Sequence, residues 1–155
     1  MSSRAPAAFL FLTLVAALAV AADQPVITLQ QPDGTETTLD AALGTGPRLV
    51  VFWATWCHYC QQEIPHIKEV QTRYGNRLRI VAIDPGVRDS LDRVRAYVKR
   101  FDLTYPVYFD AAQATRERYH LAGTPTFILL DAEGHETARS ETVDFAAIDA
   151  LLGKD

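Results

Sequence analysis

The chain has 155 residues, nearly half of them apolar, with an ordinary charged fraction; that is material for one domain around one core. Two cysteines are too few for a disulfide-rich scaffold. A net charge of −4 and a pI near 5.5 argue against nucleic acid or an anionic membrane surface as partner, because both call for a basic patch.

At the N-terminus, Arg4 precedes an apolar run from Ala7 to Val20. Ala19-Val20-Ala21 has the small-x-small form of a cleavage site, and polar Asp23-Gln24-Pro25 follows. This is the pattern of a secretory signal peptide. The rival is an uncleaved membrane anchor, for which the run is short, since a bilayer span takes about 20 apolar residues. The expected layout is a signal segment over 1–21 and one domain over 22–155, exported to a compartment that permits disulfides.

Val26 to Leu29 and Thr35 to Leu39 read as two short strands around the turn Gln31-Pro32-Asp33-Gly34. Asp40 is placed to cap a helical turn through Leu43. Arg48 to Trp53 is a continuous apolar run, as in a strand buried on both faces. From Gln61 to Tyr74, Ile64, Ile67, Val70 and Tyr74 recur at helical spacing, with Gly75 as a stop and Pro65 inside. Leu78 to Ile83 is the next strand. A helix capped by Asp89 or Ser90 follows, carrying Leu91, Val94, Val98 and Phe101. Tyr105 to Phe109 reads as a strand, and Asp110 to about Leu121 as a helix. Thr126 to Leu130 and Glu136 to Ser140 flank the turn Asp131-Ala132-Glu133-Gly134, and a last helix carries Phe145, Ile148, Leu151 and Leu152. Alternating strands and helices predict an α/β fold: a mostly parallel sheet with helices on both faces and an antiparallel edge.

Both cysteines fall in one stretch, Trp53-Ala54-Thr55-Trp56-Cys57-His58-Tyr59-Cys60, where a strand hands over to a helix. A structural staple across so short a loop removes little unfolded-state entropy. Covalent haem attachment needs His directly after the second cysteine, and Gln61 is there. Zinc needs two further ligands, and His58, His66, His120 and His135 form no spaced pair. Thiol–disulfide exchange needs one exposed sulfur and one behind it. A sulfur at a helix N-terminus meets unpaired N–H groups and the positive end of the helix dipole, which favour a thiolate.

The segment from Trp53 to Pro65 resembles the active-site segment of the thioredoxin superfamily. It is most similar to the exported thioredoxin-like reductases of bacteria, the branch that includes the cytochrome c maturation thioredoxins. Gly123-Thr124-Pro125-Thr126-Phe127 resembles the segment that carries the superfamily's cis-proline, Asp131 to Gly134 its following turn, and the strand and helix placed over Asp110 to Leu121 the branch's insertion. The resemblance covers about Val26 to Leu152 and implies a thioredoxin-like fold with an N-terminal β-hairpin and an inserted β-α unit.

By the resemblance, Cys57 is the attacking thiolate, Cys60 resolves the mixed disulfide, and Pro125 is cis and faces the sulfurs. Thr124 then offers backbone to an extended partner segment. Glu63 stands where the branch has an acidic residue implicated in proton handling; the bland alternative is an exposed first-turn glutamate. Thioredoxin's own buried aspartate is replaced by Val51. The branch commonly has proline as the second residue between the cysteines. Here the pair is His58-Tyr59, and an imidazolium beside Cys57 would make the disulfide more oxidising. Trp56 reads as a wall of the site, beside Tyr59 and Thr124.

The expected activity is therefore that of a periplasmic reductase of disulfides in exported proteins, apocytochromes c among them, recharged by a thiol donor in the membrane. A monomer is expected, without cofactor. The alternatives are a dithiol oxidase or isomerase, and a copper or zinc carrier that uses the thiolates as soft ligands. A peroxidase is weaker, because Trp56 does not suggest a peroxide pocket.

Overall fold

The computed structural model describes residues 25–153; the proposed signal segment, residues 1–21, lies outside them. Among the described residues, seven strands form one sheet in the order β2-β1-β5-β4-β3-β6-β7. The strands are β1 (Thr28–Gln30), β2 (Glu36–Thr38), β3 (Arg48–Phe52), β4 (Arg79–Asp84), β5 (Val107–Phe109), β6 (Thr126–Leu130) and β7 (Glu136–Ser140). The helices are α1 (Leu39–Leu43), α2 (His58–Tyr74), α3 (Leu91–Phe101), α4 (Ala114–Arg118) and α5 (Phe145–Leu152).

β3, β4 and β6 are buried almost throughout, and their side chains divide by the two-residue period of a strand. Leu49, Val51, Ile80, Ala82, Phe127 and Leu129 face α2, α3 and α5. Val50, Phe52, Val81, Ile83, Ile128 and Leu130 face α1 and the segment after α4, where Tyr119 and Leu121 pack. Fully burying one such side chain stabilises the fold by about 1.5–3 kcal/mol. A one-residue slip would exchange the two faces, so the register is strongly specified. The register places Val51 opposite Ala82 on β4 and Phe127 on β6.

Parallel pairing is confined to β3/β4 and β4/β5, a narrower range than the alternation of elements suggests. β6 runs antiparallel to β3, and β7 antiparallel to β6. The N-terminal hairpin attaches antiparallel to β5. The long crossovers through α2 and α3 make the two parallel joins; the hairpin turns bring antiparallel neighbours.

Two expected boundaries move. Thr38, not Asp40, caps α1: its hydroxyl accepts from Ala41 N at 3.2 Å. The helix expected over Asp110–Leu121 shrinks to five residues, and the strand of the insertion, β5, precedes Asp110. The cause is local. Asp110, fully buried, turns its carboxylate onto Thr115 N at 2.7 Å and Thr115 Oγ1 at 2.6 Å, which holds residues 110–113 as a turn before α4 begins. Ser90 caps α3 as expected, accepting from Arg93 N at 3.4 Å.

Candidate active site

β3 ends at Phe52, and the chain crosses the C-terminal edge of the sheet before α2 starts at His58. Cys57 is the N-cap of α2, with extended backbone. Its Sγ accepts from the backbone N–H of Cys60 at 3.1 Å. Cys57 and Cys60 are joined as a disulfide. Helix N-termini carry N–H groups without intrahelical partners, and here one of them already points at the first sulfur. On reduction, that N–H and the helix dipole favour a thiolate on Cys57. In the disulfide form the two residues are nearly equally covered, at 6% and 4% exposure, so the expected difference in access is slight.

The Thr124–Pro125 peptide is cis. Pro125 is buried and joins Cys60, Trp53 and Ile64 in lining a small apolar gap beneath the disulfide. On the outer side, Thr124 and Pro125 form one wall of a groove, with Tyr59, Gln62 and Glu63 as the other. Across Thr124 lies a second, mostly apolar pocket of about 140 Å³, walled by Trp56, Val87 and Leu121. Trp56 and Tyr59 are 48% and 70% exposed, which sets two aromatic side chains at the rim beside the sulfurs. Such rings carry large contact area and suit a protein partner.

Glu63 is not the exposed first-turn glutamate of the bland reading. It is 8% exposed, and its Oε2 accepts from Val143 N at 3.0 Å and from His66 Nδ1 at 3.2 Å. Val143 lies in the loop between β7 and α5, eighty positions along the chain, so this contact ties α2 to that loop. His58 is exposed, with Nε2 3.3 Å from Gln62 Nε2 and its ring edge-on to Tyr59 at 6.1 Å.

Residues that the sequence reading did not assign to the site support the cysteine loop from below. Thr55 donates from N at 2.8 Å and from Oγ1 at 2.7 Å to Asp89 Oδ2. Trp56 donates its indole N–H to Val87 O at 2.8 Å, and the Arg88 guanidinium lies 5.2 Å from its ring centre. Asp84, at the end of β4, has no exposed surface. Its Oδ1 accepts from Gly86 N at 2.8 Å, and its Oδ2 has no partner. Burial pushes the Asp84 carboxyl up to about 8, with the Gly86 N–H pulling against the shift and the Asp89 carboxylate adding to it. In sequence, Asp84-Pro85-Gly86 reads only as a turn; the sole signal was an acidic residue at the end of a buried strand.

Trp53 packs on Tyr97 at 4.8 Å, and Tyr97 on Phe101 at 4.4 Å, which closes the wall behind Cys60. Burial raises the Tyr97 phenol above its ordinary value. Among the described residues, no group of three or more His, Cys, Asp or Glu side chains is placed to hold a metal ion.

The profile of the AhpC/TSA family matches residues 20–137. The chain belongs to the AhpC/TSA family. Among its relatives is the thioredoxin-like protein YneN of Bacillus subtilis, 33% identical over 111 residues, which make up 71% of this chain and 64% of YneN. The chain thus spans just under two thirds of that relative's length. The thiol-disulfide oxidoreductase ResA of Geobacillus thermodenitrificans is 31% identical over 125 residues, 80% of this chain and 70% of ResA. In solved structures, the fold matches a DsbE-type thiol:disulfide interchange protein from Chlorobium tepidum at a TM-score of 0.69 and 24% identity, covering 83% of this chain and 94% of that one. It also matches a secreted Mycobacterium tuberculosis disulfide oxidoreductase at a TM-score of 0.66 and 20% identity, covering 81% and 92%. This AhpC/TSA member has a thioredoxin-like fold with a disulfide-bonded Cys-x-x-Cys, and its relative ResA is named a thiol-disulfide oxidoreductase.

Proposed function

We propose that this protein reduces disulfides in exported proteins, apocytochromes c among them, with Cys57 as nucleophile and Cys60 as resolving thiol. The observation that carries this reading is the capping geometry: Cys57 Sγ receives the Cys60 N–H at 3.1 Å, beside the cis Thr124–Pro125 peptide. In the reduced protein, the Cys57 thiolate attacks one sulfur of the partner's disulfide. A Cys57–partner disulfide forms, and the partner's other sulfur leaves as a thiolate that takes up a proton. Cys60 then gives up its proton and attacks Cys57 Sγ. The second partner sulfur leaves, and Cys57–Cys60 is restored as a disulfide. Two electrons pass to the partner, and a membrane dithiol donor returns them.

Glu63, held beside the groove by Val143 and His66, is the candidate to relay the Cys60 proton. Trp56, Tyr59 and Thr124 contact the partner, with the Thr124 backbone pairing an extended segment as an added strand. Residues 1–21 act as the export signal, cleaved or retained as an anchor, and place the protein in the periplasm.

The test is reduction of insulin by the protein with dithiothreitol. Turnover that is lost in Cys57→Ser and survives chelation supports the reading; turnover that needs a metal would favour a copper or zinc carrier. A Cys60→Ser variant should retain Cys57 in a mixed disulfide with an exported partner. His58 between the cysteines is the feature that favours the opposite direction of electron flow. A Cys57–Cys60 potential near thioredoxin's roughly −270 mV supports a reductase, and one near roughly −120 mV assigns a dithiol oxidase.

A further inference from the structure

The loop from Asp84 to Asp89 makes more contacts with the cysteine loop than a plain connection requires. Asp89 holds Thr55 by its amide and its hydroxyl. Val87 O holds the Trp56 indole, and Arg88 lies over the same ring. Cys57 N in turn donates to Ala54 O at 3.1 Å, so the backbone held through Thr55 also places the first sulfur. Beneath these contacts sits Asp84, fully buried, with one carboxylate oxygen lacking any donor. A buried carboxylate left so is costly, and the charge of the Asp89 carboxylate adds to the cost of ionising it.

We propose that Asp84 keeps its proton in the folded protein and acts as a positioning residue for Cys57, closing the Asp84–Asp89 loop onto Thr55 and Trp56. The inference rests on the thiol–disulfide reading of the site. With that proton, Asp84 buries no charge at its free Oδ2, and the Asp89 carboxylate keeps its bonds to Thr55. When that proton leaves, two adjacent negative charges stand under the cysteine loop. Their repulsion and the hydration of Asp84 open the loop and release Thr55 and Trp56.

The surrounding charges do not relieve Asp84. Arg88 is engaged with Trp56, and the Arg93 guanidinium donates to Arg88 O at 3.1 Å. From the end of β5, Asp110 offers Asp84 O its backbone N–H at 2.9 Å, while its carboxylate turns to Thr115. Two further neighbours are neutral: Ser90 N donates to Asp89 Oδ1 at 3.0 Å, and Gln113 donates to Gly86 O.

The experiment is NMR titration of the full-length oxidised protein, in which neither cysteine can ionise, following the Asp84 carboxyl carbon, the Thr55 amide and the Trp56 indole. A single one-proton transition well above the ordinary carboxylate range, shared by all three probes and absent from Asp84→Asn, supports the proposal. An Asp84 carboxyl that titrates in the ordinary range, or a Thr55 transition that survives Asp84→Asn, overturns it. Should Asp84→Asn not fold, Asp89→Asn must move the Asp84 titration to lower pH; an unmoved titration overturns the proposal equally. The kinetic arm is reduction of the oxidised protein by dithiothreitol, corrected for the thiolate fraction of the reagent. Above the transition, the wild type should slow about fivefold relative to Asp84→Asn, the equivalent of one ordinary hydrogen bond in the loop; equal corrected rates would remove the positioning role. Because the titration is read on the disulfide, it stands or falls separately from the thiol-exchange activity.

Discussion

Replacing Asp84 by Asn should make the protein's stability less sensitive to pH, and the size of the effect follows from burial. In the folded chain the Asp84 carboxyl holds its proton to about pH 8, whereas an unfolded chain releases it near the ordinary 3.8. Between these limits the native state binds more protons at this group than the unfolded state does. Stability from this group is therefore fully present below the unfolded value, falls as pH rises through the window, and is flat above pH 8. The slope is about 1.4 kcal/mol per pH unit, which makes about 3 kcal/mol between pH 5 and pH 7. Asparagine keeps the shape and an oxygen for Gly86 N, but has nothing to ionise. Urea unfolding of both proteins at pH 5, 6, 7 and 9 measures the difference curve, in which groups common to both cancel. Asn should gain on the wild type steadily up to pH 8. A gap that stays constant with pH would mean that Asp84 is ionised and hydrated in the native protein, and would refute the burial argument.

Three further outcomes are expected. Glu63→Ala leaves Val143 N without its charged acceptor and should cost about 1.5–3 kcal/mol, while Glu63→Gln, which can still accept, should cost less; denaturant midpoints of the two variants check this. Gly86→Ala places a Cβ against the Asp110 carbonyl at a positive φ of 73°, so it should destabilise by well over the ~1–2 kcal/mol of a left-handed residue alone, whereas Gly34→Ala, open to solvent at φ 93°, should stay within that range in thermal unfolding. Tyr74→Phe removes a hydroxyl that donates to Asp149 Oδ1 at 2.7 Å, at a cost of about 1 kcal/mol. Burial and that bond push the Tyr74 phenol up to about 12, so the wild type should also lose stability between pH 10 and 12, a decline that is shallower in Tyr74→Phe when followed by circular dichroism.

The local grammar of the chain was readable because it depends on neighbours in sequence. The apolar run of Arg48 to Trp53, the helical spacing of Ile64, Ile67 and Val70, and the capping residue Ser90 each declare themselves within a few positions. Cys57 and Cys60 stand one helical turn apart at a strand-to-helix junction, and that spacing suffices to join them. The helix drawn from Asp110 to Leu121 failed where a local signal met a competing contact: the Asp110 carboxylate reaches past the next residues to Thr115, and α4 begins only after Gln113.

What the sequence determined by itself is the chemistry: two sulfurs at a helix start, in a chain whose strands and helices alternate, with Thr124-Pro125 resembling the superfamily's proline segment. Tertiary structure alone decided how that chemistry is supported. In sequence Glu63 could be a proton-handling residue or a surface glutamate; only the β7–α5 loop, which brings Val143 N to it, buries it. Thr55 and Asp89, thirty-four positions apart, meet because β3 and β4 lie side by side and end at the same edge of the sheet. Asp84 looks like a turn residue, yet the same edge buries it completely. Periodicity reports which face of an element is apolar; it carries no record of which distant polar group will be folded against it. Desolvation and hydrogen bonding across the sheet edge depend on that meeting, and so the electrostatics behind Cys57 belong to the fold.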